Sequence, residues 1–201
     1  MPDDKAIISK FHAMTDTRHP HIFRRDDTVL VVVDMQEPFL RGIYERDRLT
    51  ARVQMLVEAA NILDVPILTT TQYAARMGPF VPEIASLLPA ESSSIDKLAF
   101  SCAGSEAFLT ALKDQNRTQV LLCGVETHIC VGQTALDLSA RGWQTHVAAD
   151  AVSARSLETH KLGMERMRDS GVLPCAAEAA VYELLREAGT LEFKAILSLV
   201  K

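Results

Sequence analysis

Residues 28–34 read TVLVVVD, a run of β-branched and leucine side chains that ends on a carboxylate. A strand with one wet face would alternate apolar and polar positions, so an unbroken apolar run predicts a strand covered on both faces, as in a parallel sheet between helices. The segments that follow agree. Residues 49–63 place Leu49, Val53, Leu56, Val57, Ala60 and Leu63 on one helical face, and Pro66 stops that helix before a second short strand over 67–71. A third strand is expected over 93–96, a helix over 106–113 capped by Gly104-Ser105, and a fourth strand over 119–124. Residues 76–82 read as loop. A helix over 129–141 closed by Gly142, a fifth strand over 143–149, a helix over 157–170, a sixth strand over 172–175 and two helices within 177–201 complete the chain.

Alternation of short strands with helical stretches is the pattern of repeated βαβ units, so the expected class is α/β: a three-layer α/β/α sandwich around a six-stranded, mainly parallel sheet. A chain of 201 residues, 48% hydrophobic, suffices for a single domain over 1–201, with residues 1–27 as an N-terminal extension. Twenty-one Lys and Arg against 26 Asp and Glu, scattered along the chain, argue against a nucleic-acid partner. Neither an apolar signal core nor a membrane-length run occurs, and the four cysteines form no C-x-x-C pair, so a cytoplasmic protein with reduced thiols is expected.

In an open parallel sheet, ligands bind outside the carboxyl ends of the strands, which singles out three polar residues. Asp34 closes the first strand, Lys97 follows the third, and Cys130 enters the helix after the fourth. A cysteine at a helix N-terminus near an ammonium is favoured as thiolate, and Asp34 could take up its proton. Backbone N–H groups of the 126–130 turn would then stabilise the oxyanion formed by attack on a carbonyl. Each residue also has a plainer reading. A carboxylate at a strand end often caps a helix, most lysines are solvated, and free cysteines are commonly buried, which is how Cys102, Cys123 and Cys175 are taken. His128 lacks a second metal ligand at a recognisable spacing and reads as pocket wall or helix start. No G-x-G-x-x-G or P-loop is present, so neither a nucleotide nor another cofactor is implied.

Three segments together, VLVVVDMQEPF (29–39), DKLAFSCAGS (96–105) and VLLCGVETHICVGQTALDLSARGWQTHVAADAVSARS (120–156), resemble the signature of isochorismatase-like hydrolases. TQYAARMGPFVPEI (71–84) and YELLREAGTLEFKAILSLVK (182–201) are most similar to the isochorismatase domain-containing proteins. The resemblance implies a Rossmann-like fold, Asp34 as general base, Lys97 as the charge supporting thiolate and intermediate, and Cys130 as nucleophile. It implies a cis peptide at Val125-Glu126 and an oxyanion hole from the backbone of Glu126 and Cys130. Phe39, Tyr73 and His128 are expected to line the pocket.

Two departures narrow the chemistry. The nicotinamidase branch of the family has metal-binding histidines after the second strand, where this chain reads Thr70-Thr71-Gln72-Tyr73, so no metal is expected. True isochorismatases lack the nucleophilic cysteine, so Cys130 points to amide, carbamoyl or related acyl chemistry on a small molecule. Family members usually form homo-oligomers, here expected as a dimer or tetramer. Two other classes are compatible with the same residues: a redox-active thiol protein, marked by reversible sulfenic acid at Cys130, and an idle binding module, marked by ligand binding indifferent to Cys130→Ser.

Overall fold

In a computed structural model, which describes residues 18–90 and 92–200, the apolar run forms the centre of the sheet. Six strands, β1 (Thr28–Val33), β2 (Ile67–Gln72), β3 (Ile95–Lys97), β4 (Gln119–Val125), β5 (Gln144–Ser153) and β6 (Leu173–Cys175), lie in the order 3-2-1-4-5-6. Every pairing is parallel, so the expectation of a mainly parallel sheet becomes an all-parallel one; the antiparallel contact is an isolated bridge between Gln36 and Phe80.

All six residues of β1 are buried, and they divide by parity as a pleated strand requires. Leu30 and Val32 join a core with α2 (Arg46–Ile62), α8 (Ala177–Leu185) and α9 (Leu191–Leu199). Val29, Val31 and Val33 face the other core, formed with α5 (Glu106–Asp114), α6 (Gly132–Ala140) and α7 (Leu157–Asp169). These are the three layers of the sandwich. The six apolar residues assigned to one face of α2 are all buried. Ser105 caps α5 by accepting from Phe108 N–H, and Gly142 follows α6 at φ +96°, the left-handed position that glycine takes at least cost.

Differences are local. The stretch around residues 76–82 is not bare loop: it runs between the single turns α3 (Ala74–Met77) and α4 (Pro82–Ala85), and another short turn, α1 (Glu37–Leu40), follows β1. Lys97 lies within β3 instead of after it. Residues 18–27 pack against the strands' N-terminal end, with Phe23 fully buried and the Gln119 carboxamide bonded to Pro20 and Ile22 carbonyls, so this part of the expected extension belongs to the core. Residues 1–17 of that extension lie outside the described residues.

Candidate active site

Strand order reverses between β1 and β4, whose outgoing connections run to opposite sides, and a crevice opens there. Asp34 leaves β1 at φ +51°. Its Oδ1 accepts from Thr70 Oγ1 at 2.8 Å and its Oδ2 from Lys97 Nζ at 2.7 Å. Lys97 arrives from β3, two strands away, and its ammonium donates also to Gln72 Oε1 at 2.8 Å and the Phe100 carbonyl at 3.3 Å. Three donors meet three acceptors, which satisfies a buried ammonium.

Cys130 comes from the other side of the crevice. Beyond a cis peptide at Val125-Glu126, residues Thr127–Val131 form a wide π-helical turn that leads into α6. Ile129 and Val131 N–H both donate to the Glu126 carbonyl, at 3.0 and 3.3 Å. Two glycines allow this turn to sit where it does. A Cβ on Gly132 would lie 2.8 Å from the Thr127 carbonyl oxygen, and one on Gly124, at φ +108°, would lie 2.2 Å from that of Val33. The Cys130 side chain and the Asp34 carboxylate line the same cavity.

These contacts set the charges. Burial pushes the Asp34 carboxyl above the ordinary aspartate range, opposed by the Lys97 ammonium and by the hydrogen bonds from Lys97 and Thr70. Burial also pushes the Cys130 thiol up, with the Asp34 carboxylate raising it further and Lys97 acting in the opposite sense. The expectation of a standing thiolate is thus corrected. Lys97 is already paired with Asp34, so the resting group is a thiol beside a base.

A cavity of about 70 Å³ lies against this group, lined by Asp34, Phe39, Gln72, Phe100, Val125, Glu126, Ile129 and Cys130. Phe39 lines it, as its spacing from Asp34 suggested; Tyr73 and His128 do not. Tyr73 turns at φ +49° to a partly exposed position under the Arg76 guanidinium. His128 lies behind the turn, in a separate hollow with Leu162, Gly163 and Arg166. The Thr127–Val131 turn is wider than an α-helix, which rotates His128 away from the crevice.

Sequence reasoning also missed Gln36 and Gln72. The Gln36 carboxamide accepts from Gln72 N–H at 2.7 Å and donates to the Gln72 carbonyl at 3.3 Å, acting as an added rung beside β2. Gln72 thereby holds Lys97. Its position at the carboxyl end of a strand was the available signal. Among the described residues no three His, Cys, Asp or Glu are grouped to hold a metal ion, and no helix is long and apolar enough to cross a membrane.

Comparison with known proteins gives one consistent answer. Residues 28–179 match the Isochorismatase domain family. The chain is 39% identical to the secreted isochorismatase effector Isc1 of Phytophthora sojae, over 87% of this chain and 84% of that protein. It is 36% identical to isochorismatase domain-containing protein 2A of Mus musculus, over 88% and 84%. Among solved structures, MAR1 ribonuclease of Caenorhabditis elegans superposes with a TM-score of 0.83 at 31% identity, covering 89% of this chain and 91% of that one. The octameric YcaC hydrolase of Escherichia coli, of unknown specificity, shares the fold at a TM-score of 0.84 and 24% identity, over 91% and 92%. The three sequence motifs, the all-parallel sheet and these matches agree that the chain belongs to the isochorismatase family of hydrolases.

Proposed function

We propose that this hydrolase cleaves a small amide-like C–N bond through an acyl-enzyme on Cys130, with Asp34 as general base and no metal. The observation that carries the reading is the single cluster in which Asp34, held by Lys97 and Thr70, meets the Cys130 thiol at one cavity. Asp34 takes the thiol proton as sulfur attacks the carbonyl carbon, and the S–C bond forms. The oxyanion is received by the backbone N–H groups of Glu126 and Cys130. Collapse breaks the C–N bond, and the proton passes from Asp34 to the departing nitrogen. Water then gives a proton to Asp34 and attacks the thioester; the S–C bond breaks, and the proton returns to sulfur. A carboxyl held above its ordinary range is a better base at neutral pH than a solvated one. Lys97 keeps Asp34 oriented and offsets the charge built up beside it.

Two features of the site disfavour the other classes. A buried, protonated thiol is a poor partner for peroxide, so Cys130 is not suited to redox sensing. One structural relative is named as a ribonuclease, yet this cavity offers two carboxylates and no unpaired ammonium to a phosphodiester. The donors at the end of β2 are occupied within the protein: Thr70 by Asp34, Thr71 by Asp96 and Gln72 by the Leu98 carbonyl, while the Gln72 oxygen accepts from Lys97. A cytosolic setting, consistent with four free cysteines, and assembly with further copies of the chain belong to this proposal. The test is Cys130→Ala against an amide library: complete loss of turnover, with an acyl adduct on Cys130 in the parent protein by mass spectrometry, is expected. Full turnover in Cys130→Ala would sink the reading.

A further inference from the structure

Resting on the acyl-enzyme reading, the lining of the catalytic cavity indicates what it accepts: we infer that the acyl group transferred to Cys130 is short and uncharged.

Size follows from the volume. The cavity measures about 70 Å³, and since about 10–15 Å³ on that measure suffices for one water molecule, it holds about five non-hydrogen atoms. Its apolar walls do not yield easily. Phe39 and Ile129 are partly buried against the two cores, and Val125 is fixed in β4. A well-packed interior resists added methylenes by displacing neighbours. One to three carbons beyond the carbonyl fit; a six-carbon chain does not.

Charge follows from the lining groups. The charged side chains lining the cavity are Asp34 and Glu126, both carboxylates. The nearest ammonium, Lys97, already donates to Asp34, Gln72 and Phe100, so it has no donor left for a substrate carboxylate. Arg155 is turned to the Glu126 carboxylate, with its Nε 3.2 Å from Oε2, and two-thirds of its side chain is in solvent. A carboxylate at the far end of the acyl chain would be desolvated beside like charge with no partner, a cost that burial makes severe. An amide, a carbamoyl group or a short alkyl chain meets no such cost. Phe100 lines the cavity and is itself more than half exposed, so the cavity opens to solvent on that side and a leaving nitrogen placed there is not limited in this way.

The test uses the full-length protein and p-nitrophenyl esters of acetic, butyric, hexanoic and glutaric acids, read as p-nitrophenolate release and as mass added to Cys130. Acetyl is expected to exceed hexanoyl in kcat/KM by at least about tenfold, and butyryl to exceed glutaryl by at least about tenfold. Ile129→Ala is expected to raise the hexanoyl-to-acetyl ratio. Glu126→Gln, which removes one of the two lining carboxylates, is expected to raise the glutaryl-to-butyryl ratio. Hexanoyl or glutaryl transfer as fast as that of the short neutral esters in the parent protein would overturn the inference while leaving the acyl-enzyme in place. Absence of any adduct on Cys130 from every ester would overturn both.

Discussion

Lys97 Nζ and Asp34 Oδ2 lie 2.7 Å apart with each side chain only 1% exposed, so neither charge can be removed without stranding the other. Losing one member of such a pair typically costs about 3–5 kcal/mol, whereas replacing both with apolar groups of similar volume can be neutral. Lys97→Met and Asp34→Leu are each expected to lower unfolding stability by about 3 kcal/mol in urea titration, and the double variant to recover most of it. None of the three is expected to turn over substrate. Single variants that cost under about 1 kcal/mol would mean that the pair is hydrated.

Alkylation of Cys130 by iodoacetamide separates the two charges by sign. Asp34 raises the thiol's pKa and Lys97 lowers it. Asp34→Asn is therefore expected to make Cys130 label faster at pH 7 while abolishing turnover, and Lys97→Ala to make it label more slowly. In the parent protein labelling climbs as pH is raised above 8, without a plateau at neutrality. Slower labelling in Asp34→Asn would reverse the assignment of the carboxylate's effect.

The pH dependence of turnover follows from Asp34. Burial raises its pKa, so the base is lost as pH falls, and the acidic limb of kcat/KM is expected above the ordinary aspartate value. Thr70→Val removes one hydrogen bond that favours the carboxylate and is expected to move that limb to higher pH. A limb that stays fixed in Thr70→Val would assign it to another group.

Stability toward acid is predicted by a residue remote from the site. His146 is buried on β5 against the Phe23 ring at 4.2 Å, its Nε2 has no partner among the described residues, and burial, aided by His21, lowers its pKa to about 4. The unfolded chain takes up this proton near pH 6.5, before the folded one can. Stability is therefore full above pH 6.5 and falls as pH drops toward 4, by roughly 3 kcal/mol from this residue. His146→Leu is expected to flatten that part of the profile in denaturation measured from pH 7 to 4. An unchanged slope would place the acid sensitivity elsewhere.

The fold was legible wherever one physical requirement dominated. Burial on both faces made β1 unmistakable, and Pro66, Ser105 and Gly142 marked helix ends by backbone chemistry that tertiary structure did not overrule. Asp34, Lys97 and Cys130 were legible because strand ends in a parallel sheet converge. What escaped was orientation and state of charge. The π-helical turn at Thr127–Val131 depends on a backbone path that residue spacing does not encode, and it took His128 out of the pocket. The protonation of Cys130 depended on its burial and on how Lys97's donors are shared among Asp34, Gln72 and Phe100, which come together only when three strands are in register.

The three-residue strand β3 lies at the margin of the sheet, paired on one side to β2 alone. An edge strand of that length offers foreign strands little to pair with, but it is held by few bonds of its own. Here, however, peeling away β3 would drag the Lys97 ammonium out from between Asp34 and Gln72. The reactive centre thus serves as a rivet: a molecule that loosens at its margin falls silent at the same moment, so catalytic output reports the integrity of the most vulnerable hem of the sheet.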